Sequence, residues 1–168
     1  MSAHTFEPVH KLSVTDGVES FDCGHVALNE FLQRFALVNQ RSNSSQTYAS
    51  CNAGQVAGFY SLAVGSVEPS HSAPRVIKGI PRHPVPVMIL ARLAIDQRYQ
   101  RQGLGKALLK NALLRTVQAA DIAGIRALLV HAKDEEARSW YRHWEFEESP
   151  TDPFHLFLLV KDIKALLS

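Results

Sequence analysis

The sequence predicts an α/β fold, a mixed sheet with helices on its faces, and three observations predict it. Segments with a helical apolar period alternate with short β-rich segments along the whole chain. A turn signal, Asn52-Ala53-Gly54, joins two of the β-rich segments into a hairpin. A near-continuous apolar run from Val87 to Ile95 has the pattern of a central strand buried on both faces. At 168 residues, 46% hydrophobic and 20% charged, the chain suits one domain over residues 1–168 that buries a core without staples.

In chain order, VALNEFLQRFALVNQ places Leu28, Phe31, Leu32, Phe35 and Val38 at helical spacing, with Asp22 as a plausible cap. QTYASCNAGQVAGFYSLAVGSVE supplies the hairpin. Residues 69–86 hold five of the eight prolines and read as a long, partly rigid loop. The strand over 87–95 leads through a glycine turn into a helix over about 103–119. GIRALLVHA, residues 124–132, is a further strand. Asp134 can cap a short helix carrying Ala137, Trp140, Tyr141 and Trp144 on one stripe. FHLFLLVK, residues 154–161, reads as the last strand before an amphipathic C-terminal turn.

Charge is unevenly distributed. The window from Arg75 to Arg115 holds nine basic residues and one acid, Asp96, so it carries +8 against −6 for the rest, within a net +2. Such segregation suggests a basic surface facing a polyanion. The two cysteines, Cys23 and Cys51, form no CxxC pair, which predicts neither a disulfide framework nor a metal site and suits a reducing compartment. The N-terminus has no signal-peptide pattern, and no apolar run approaches the ~20 residues of a membrane helix. A cytoplasmic protein with no membrane contact is expected.

The chemistry begins at QRQGLG, residues 100–105. Gly103 and Gly105 remove Cβ atoms that would block close approach, successive N–H groups can curl around an anion, and the following helix start adds partial positive charge. Arg98, Arg101 and Lys106 stand beside it. This is neither the P-loop nor the dinucleotide fingerprint.

LARLAIDQRYQRQGLGKALL resembles the cofactor motif of the GNAT superfamily of acetyltransferases, R/Q-x-x-G-x-G/A. FDCGHVALNEFL, residues 21–32, resembles a signature near the start of the GNAT toxins of bacterial toxin–antitoxin pairs. GFYSLAVGSVE and EEARSWYRHWEF fall where that subfamily carries its third strand and catalytic helix. The resemblance implies the GNAT fold, with a central, mostly antiparallel sheet flanked by helices, and acetyl-CoA as co-substrate with no metal. It implies that the pyrophosphate sits on backbone amides of Gln102, Gly103, Leu104, Gly105, Lys106 and Ala107, flanked by Arg98 and Arg101. The pantetheine arm would pair with the strand edge at Leu93, Ala94 and Ile95. It also implies Tyr141 as the acid that protonates the departing coenzyme A thiolate, which suits a phenol of pKa ~10. From spacing alone Tyr141 would equally serve as packing. Asp134 departs from the asparagine many family members place before this helix.

Many lysine-acetylating members place a glutamate on the central strand, whereas residues 87–95 hold Arg92 as their one charge. A lysine amine of pKa ~10.4 is neutral about once in 2,500 molecules at pH 7, and an α-amine near ~8 about once in ten, a difference of roughly 3 kcal/mol. A baseless site with a basic flank therefore favours the α-amine of an amino acid on charged tRNA, with Arg75, Lys78, Arg82 and Arg92, joined by Arg34 and Arg41, on its phosphates. The resemblance implies a homodimer and a small DNA-binding antitoxin as partner. A small-molecule amine or a protein N-terminus is the alternative acceptor, with His131 as a candidate base there, although its place near the end of a strand favours a buried structural histidine. Cys23, with no base beside it, reads as a buried turn residue.

Overall fold

The structure is a computed structural model that describes residues 4–80 and 83–168. Its seven strands lie in one sheet of order β1-β2-β3-β4-β5-β7-β6, where β1 is His10–Lys11, β2 Gln46–Asn52, β3 Gln55–Val67, β4 Val85–Ile95, β5 Ala127–His131, β6 Glu147–Glu148 and β7 His155–Leu159. The pairs β1–β2, β2–β3, β5–β7 and β6–β7 are antiparallel and β4–β5 is parallel. The expected mixed, mostly antiparallel sheet is what forms. The hairpin turn holds Ala53 at φ 49 and Gly54 at φ 80. Two left-handed residues in succession are what a two-residue turn between twisted strands requires.

The chain divides into two compact units, Met1–Ala63 with Ala91–Ala112, and Val64–Leu90 with Leu113–Ser168. The first unit packs around Phe21, Phe31, Leu32, Ala49, Val56 and Phe59, with Ala94 of β4 among them. Here the sheet meets helix α4 (Leu104–Ala123) at Gly58, where a Cβ would lie 2.8 Å from Ile95 Cδ1 and 2.9 Å from Leu108 Cδ1. Gly58 thus lets the start of α4 approach the strands, which seats the turn before it.

The second unit packs around Val76, Val85, Val87, Ala127, Leu129, Phe157 and Leu159. The proline-rich stretch folds more than expected: Pro69–His71 is a 3₁₀ turn and Pro74–Ile77 is helix α3. Arg126 holds its end, donating from Nε to the Val76 carbonyl at 2.8 Å and from Nη2 to the Lys78 carbonyl at 3.1 Å. Helix α5 (Glu135–His143) and helix α6 (Val160–Leu167) complete the unit.

Three expectations are corrected. The first helix is α1 (Val26–Glu30) and α2 (Ala36–Arg41) joined by a π-helical stretch, Phe31–Phe35. Its i→i+5 bonding takes an extra residue into the turn and rotates the apolar face. Phe31, Leu32 and Ala36 are buried, whereas Phe35 and Val38 remain 49% and 55% exposed. Asp22 does not cap this helix, since His25 occupies the cap position without a side-chain bond. Val160 and Lys161 open helix α6 rather than close the last strand. Strands β1 and β6, two residues each, carry too short a pattern to read in the sequence.

Candidate active site

The glycine turn is built as the sequence suggests. Arg101 at φ 63 and Gly103 at φ 83 reverse the chain, and a Cβ on Gly103 would meet no atom within 4 Å. The space beside Gly103 is therefore open. Helix α4 begins at Leu104, and its first intrahelical bond here runs from Ala107 N–H to the Gly103 carbonyl at 3.1 Å. By helix geometry the N–H groups at the start of the first turn, those of Leu104 and Gly105, have no carbonyl of the helix to bond. Donors at a helix start, with no acid in the first turn, form an anion cradle that fits a diphosphate. Gln100 steadies the approach by donating from Nε2 to the Ile95 carbonyl at 3.0 Å.

The strand before it runs on beyond its pairing with β5. Pairing between β4 and β5 ends at Leu90↔Val130, while β4 continues to Ile95. Leu93 and Ile95 are half-buried and Ala94 is buried.

What fixes the turn is Asp96, the lone acid of the basic window, 1% exposed. Its carboxylate accepts from Asp22 N–H at 3.0 Å and from Arg98 N–H, Nε and Nη2 at 2.9 Å each. Burial opposes its charge, yet the bonds from Arg98 and from the two backbone N–H groups outweigh it and hold the carboxyl below its ordinary range. Arg98 is thereby committed to Asp96, so its side chain shapes the turn and is not a free charge for a phosphate. The FDCG signature is the other half of this clasp. Asp22 accepts from Gly24 N–H at 2.9 Å and Asn29 Nδ2 at 3.0 Å, Asn29 Oδ1 accepts from Cys23 N–H at 2.8 Å, and the Asp22 carbonyl accepts from Gln97 N–H at 2.9 Å. Gly24, at φ 91, leaves room where a Cβ would stand 2.7 Å from Gln97 Nε2. Cys23 is a buried turn residue.

Helix α5 carries Tyr141. Asp134 caps it, accepting from Ala137 N–H at 2.8 Å, and Glu135 and Glu136 suit its positive end. Arg138 anchors it by donating to Glu135 at 2.6 Å, to the Pro153 carbonyl at 3.0 Å and to Glu148. Tyr141 is 6% exposed, between the rings of Trp140 at 5.0 Å and Phe146 at 5.3 Å. Among the described residues its hydroxyl takes no hydrogen-bond partner, whereas Tyr60 and Tyr99 donate to Asn111 and Asn52. A buried tyrosine kept for packing normally finds a partner for its oxygen. Burial pushes the phenol above its ordinary pKa, so it is fully protonated at neutral pH.

The basic set is not one surface of free charge. Arg75 is held by Glu147 at 2.8 Å and Asp162 at 2.9 Å, so much of its charge is neutralised within the chain. Arg34 lies 3.3 Å from Glu30. The Arg92 guanidinium lies 3.7 Å from the centroid of Phe31, a cation–π contact on the π-helical stretch, and burial lowers its pKa. Lys78, Arg41, Arg101 and Lys106 are exposed. Arg82 lies outside the described residues. His131 stacks on His155 at 4.1 Å, and burial followed by the charge of His155 lowers its pKa. Sequence reading missed Gly58, Arg126 and Arg138, and saw Asp96 only as a charge. The signal for Asp96 was its isolation among nine bases.

Residues 43–148 match the acetyltransferase (GNAT) domain family. The chain is 48% identical over 157 residues to a tRNA-acetylating toxin of Mycobacterium tuberculosis (strain ATCC 25618 / H37Rv), covering 94% of each chain. It is similar to the toxin AtaT complexed with acetyl-methionyl-tRNAfMet, with TM-score 0.89, 29% identity and coverage of 98% of this chain and 100% of that one. A tyrosine-to-phenylalanine mutant of AtaT bound to the C-terminus of the antitoxin AtaR and acetyl-CoA matches with TM-score 0.83 and 28% identity, over 96% of this chain and 98% of that one.

Proposed function

This chain belongs to the GNAT acetyltransferase family, and we propose that it moves the acetyl group of acetyl-CoA to the α-amino group of the amino acid on charged tRNA, which stops translation. The cradle at Gln102–Ala107 holds the cofactor pyrophosphate and the β4 edge at Leu93–Ile95 holds the pantetheine arm. The neutral amine attacks the thioester carbonyl, which backbone N–H groups polarise. As the tetrahedral intermediate collapses, the C–S bond breaks, and the Tyr141 hydroxyl gives its proton to the departing thiolate. A phenol held protonated by burial, with its oxygen unengaged, is suited to that step.

The observation that carries the choice of acceptor is β4, whose one charged side chain is Arg92. No carboxylate on the strand can take an ammonium proton, and Asp96 just beyond it is enclosed by Arg98 and backbone N–H groups. An α-amine esterified through its carboxyl needs the least help to lose its proton, and it arrives attached to a polyanion. Of the cations the sequence assigned to tRNA, Lys78 and Arg41 are exposed and Arg92 is half-buried against Phe31, and these, with Arg82 from the sequence, would meet phosphate.

The remaining parts of the reading are a single catalytic domain over residues 1–168, a homodimer, an antitoxin that covers the toxin, and action in the cytoplasm. The AtaT–AtaR complex supports the antitoxin. Among the described residues no helix is long and apolar enough to cross a membrane.

The test is transfer of labelled acetyl to a pool of charged tRNA by the wild type and Tyr141→Phe, with uncharged tRNA and a lysine peptide as controls. Label on charged tRNA alone, lost in the variant, is the expected result. Label on the lysine peptide instead would overturn the acceptor assignment.

A further inference from the structure

Three side chains from β1, the turn after it and β2 meet in the first unit, none of them among the residues assigned to acetyl transfer. His10 stands on β1, Asp16 ends the turn that follows it, and Cys51 sits where the β2–β3 register shifts between Ser50 and Cys51. His10 Nε2 lies 2.9 and 3.0 Å from the Asp16 carboxylate oxygens, and Cys51 Sγ lies 3.6 Å from Asp16 Oδ1. One ligand atom from each residue falls within 4.8 Å of the other two. We propose that His10, Asp16 and Cys51 form a binding site for a zinc-like divalent metal.

The spacing is that of ligands about a common centre. A tetrahedron with Zn–N and Zn–O bonds of about 2.0 Å and a Zn–S bond of about 2.3 Å has N–O and S–O edges of about 3.3 and 3.5 Å. The His10–Asp16 and Cys51–Asp16 edges need only a few tenths of an ångström of adjustment, and the His10–Cys51 edge, within 4.8 Å here, closes toward about 3.5 Å as the ion binds. Thiolate, imidazole and carboxylate together select zinc over magnesium or calcium, which take oxygen ligands.

The ligands are also oriented from behind. His10 Nδ1 lies 3.2 Å from the Pro8 carbonyl, and a bond there leaves Nε2 as the ligand atom. Asp16 Oδ2 accepts from Ser13 N–H at 2.9 Å. The turn bearing Asp16 is tied to the hairpin by Gly17 N–H to the Gly54 carbonyl at 2.9 Å and by Val56 N–H to the Gly17 carbonyl at 2.8 Å. Glu7, bonded through its N–H to the Cys51 carbonyl at 2.8 Å, adds a second carboxylate to the negative field acting on His10 and Cys51. The side chain of His10 is 38% exposed and that of Asp16 11%, which gives the ion a way in and a water the fourth position. Binding forms the metal–thiolate bond and releases the Cys51 proton to solvent. The ion would clip β1 and its turn to β2. The proposal is independent of the acetyl-transfer reading.

The test uses the full chain, free of any affinity tag, titrated with Co²⁺ and then Zn²⁺. One Co²⁺ per chain with a thiolate-to-cobalt charge-transfer band, displaced by one Zn²⁺, is the expected result. Cys51→Ser should abolish the band and Cys23→Ser should keep it. His10→Ala, at a half-exposed position where folding is spared, should weaken binding at least tenfold and remove the rise in Tm that zinc gives the wild type. Cobalt bound without the band, a band that survives Cys51→Ser, or a zinc effect on Tm unchanged in His10→Ala would each overturn the site and leave a hydrogen-bonded clasp.

Discussion

The glycine turn and helix α5 supply the two halves of the proposed chemistry and are built in opposite ways. The turn works through backbone N–H groups, and its shape depends on φ at Arg101 and Gly103 and on the Asp96 clasp. Helix α5 would work through one phenol, which depends on what surrounds Tyr141 and on an oxygen that has no hydrogen-bond partner among the described residues. A site made of main chain tolerates side-chain changes except where they alter φ or steric room. A site made of one side-chain oxygen fails when that oxygen is removed.

The largest expected effect follows from the second kind. Tyr141→Phe should lower kcat by about 10²–10⁴-fold, while KM for acetyl-CoA stays within about threefold and Tm is nearly unchanged. A large change in KM would show that α5 also supports the cofactor site.

Next is Asp96→Asn, which leaves the Arg98 guanidinium without its charged partner. Urea unfolding should show a loss of about 1–2 kcal/mol, the scale for charged hydrogen bonds whose remaining cation, Arg98, is half-exposed to water. The folded-state pKa of Asp96 is depressed. Its contribution is therefore complete above the unfolded value near ~3.9 and is lost as pH falls through the folded value. The Asn variant should lack that part of the acid transition, and an unchanged acid limb would sink the clasp.

Gly103→Ala has a smaller expected effect. Its Cβ meets nothing in the chain, so the cost is the left-handed conformation, about 1 kcal/mol, together with intrusion on the diphosphate. KM for acetyl-CoA should rise about tenfold with kcat nearly constant. Arg101→Ala, which keeps the Cβ and removes one exposed charge that the resemblance sets beside the pyrophosphate, should raise it only about threefold.

The smallest contrast separates two cations that look alike in the sequence. Lys78→Ala should raise KM for charged tRNA several-fold and lower the salt slope by about one unit. Arg75→Ala should do less, because Glu147 and Asp162 already occupy its guanidinium. Equal effects would mean that the ion pairs open when tRNA binds.

Much of this was legible because it is local. The hairpin at Ala53-Gly54, the cap at Asp134 and the glycine turn each depend on residues a few positions apart, and each forms where the sequence placed it. The π-helical stretch was not legible, since a period of 3.6 carries no sign of the extra residue that turns Phe35 and Val38 outward. Nor were the partners of Arg75, which lie 72 and 87 residues away.

Taken alone, the sequence determined the alternation of helix and strand, the glycine turn and the family, because backbone conformation, apolar period and motif spacing are set by near neighbours. Only the tertiary structure decided which charges remain available, which tyrosine keeps an unengaged hydroxyl, and that His10, Asp16 and Cys51 converge. Those properties depend on distance in space, and electrostatic and hydrogen-bonding energies are functions of that distance and of burial.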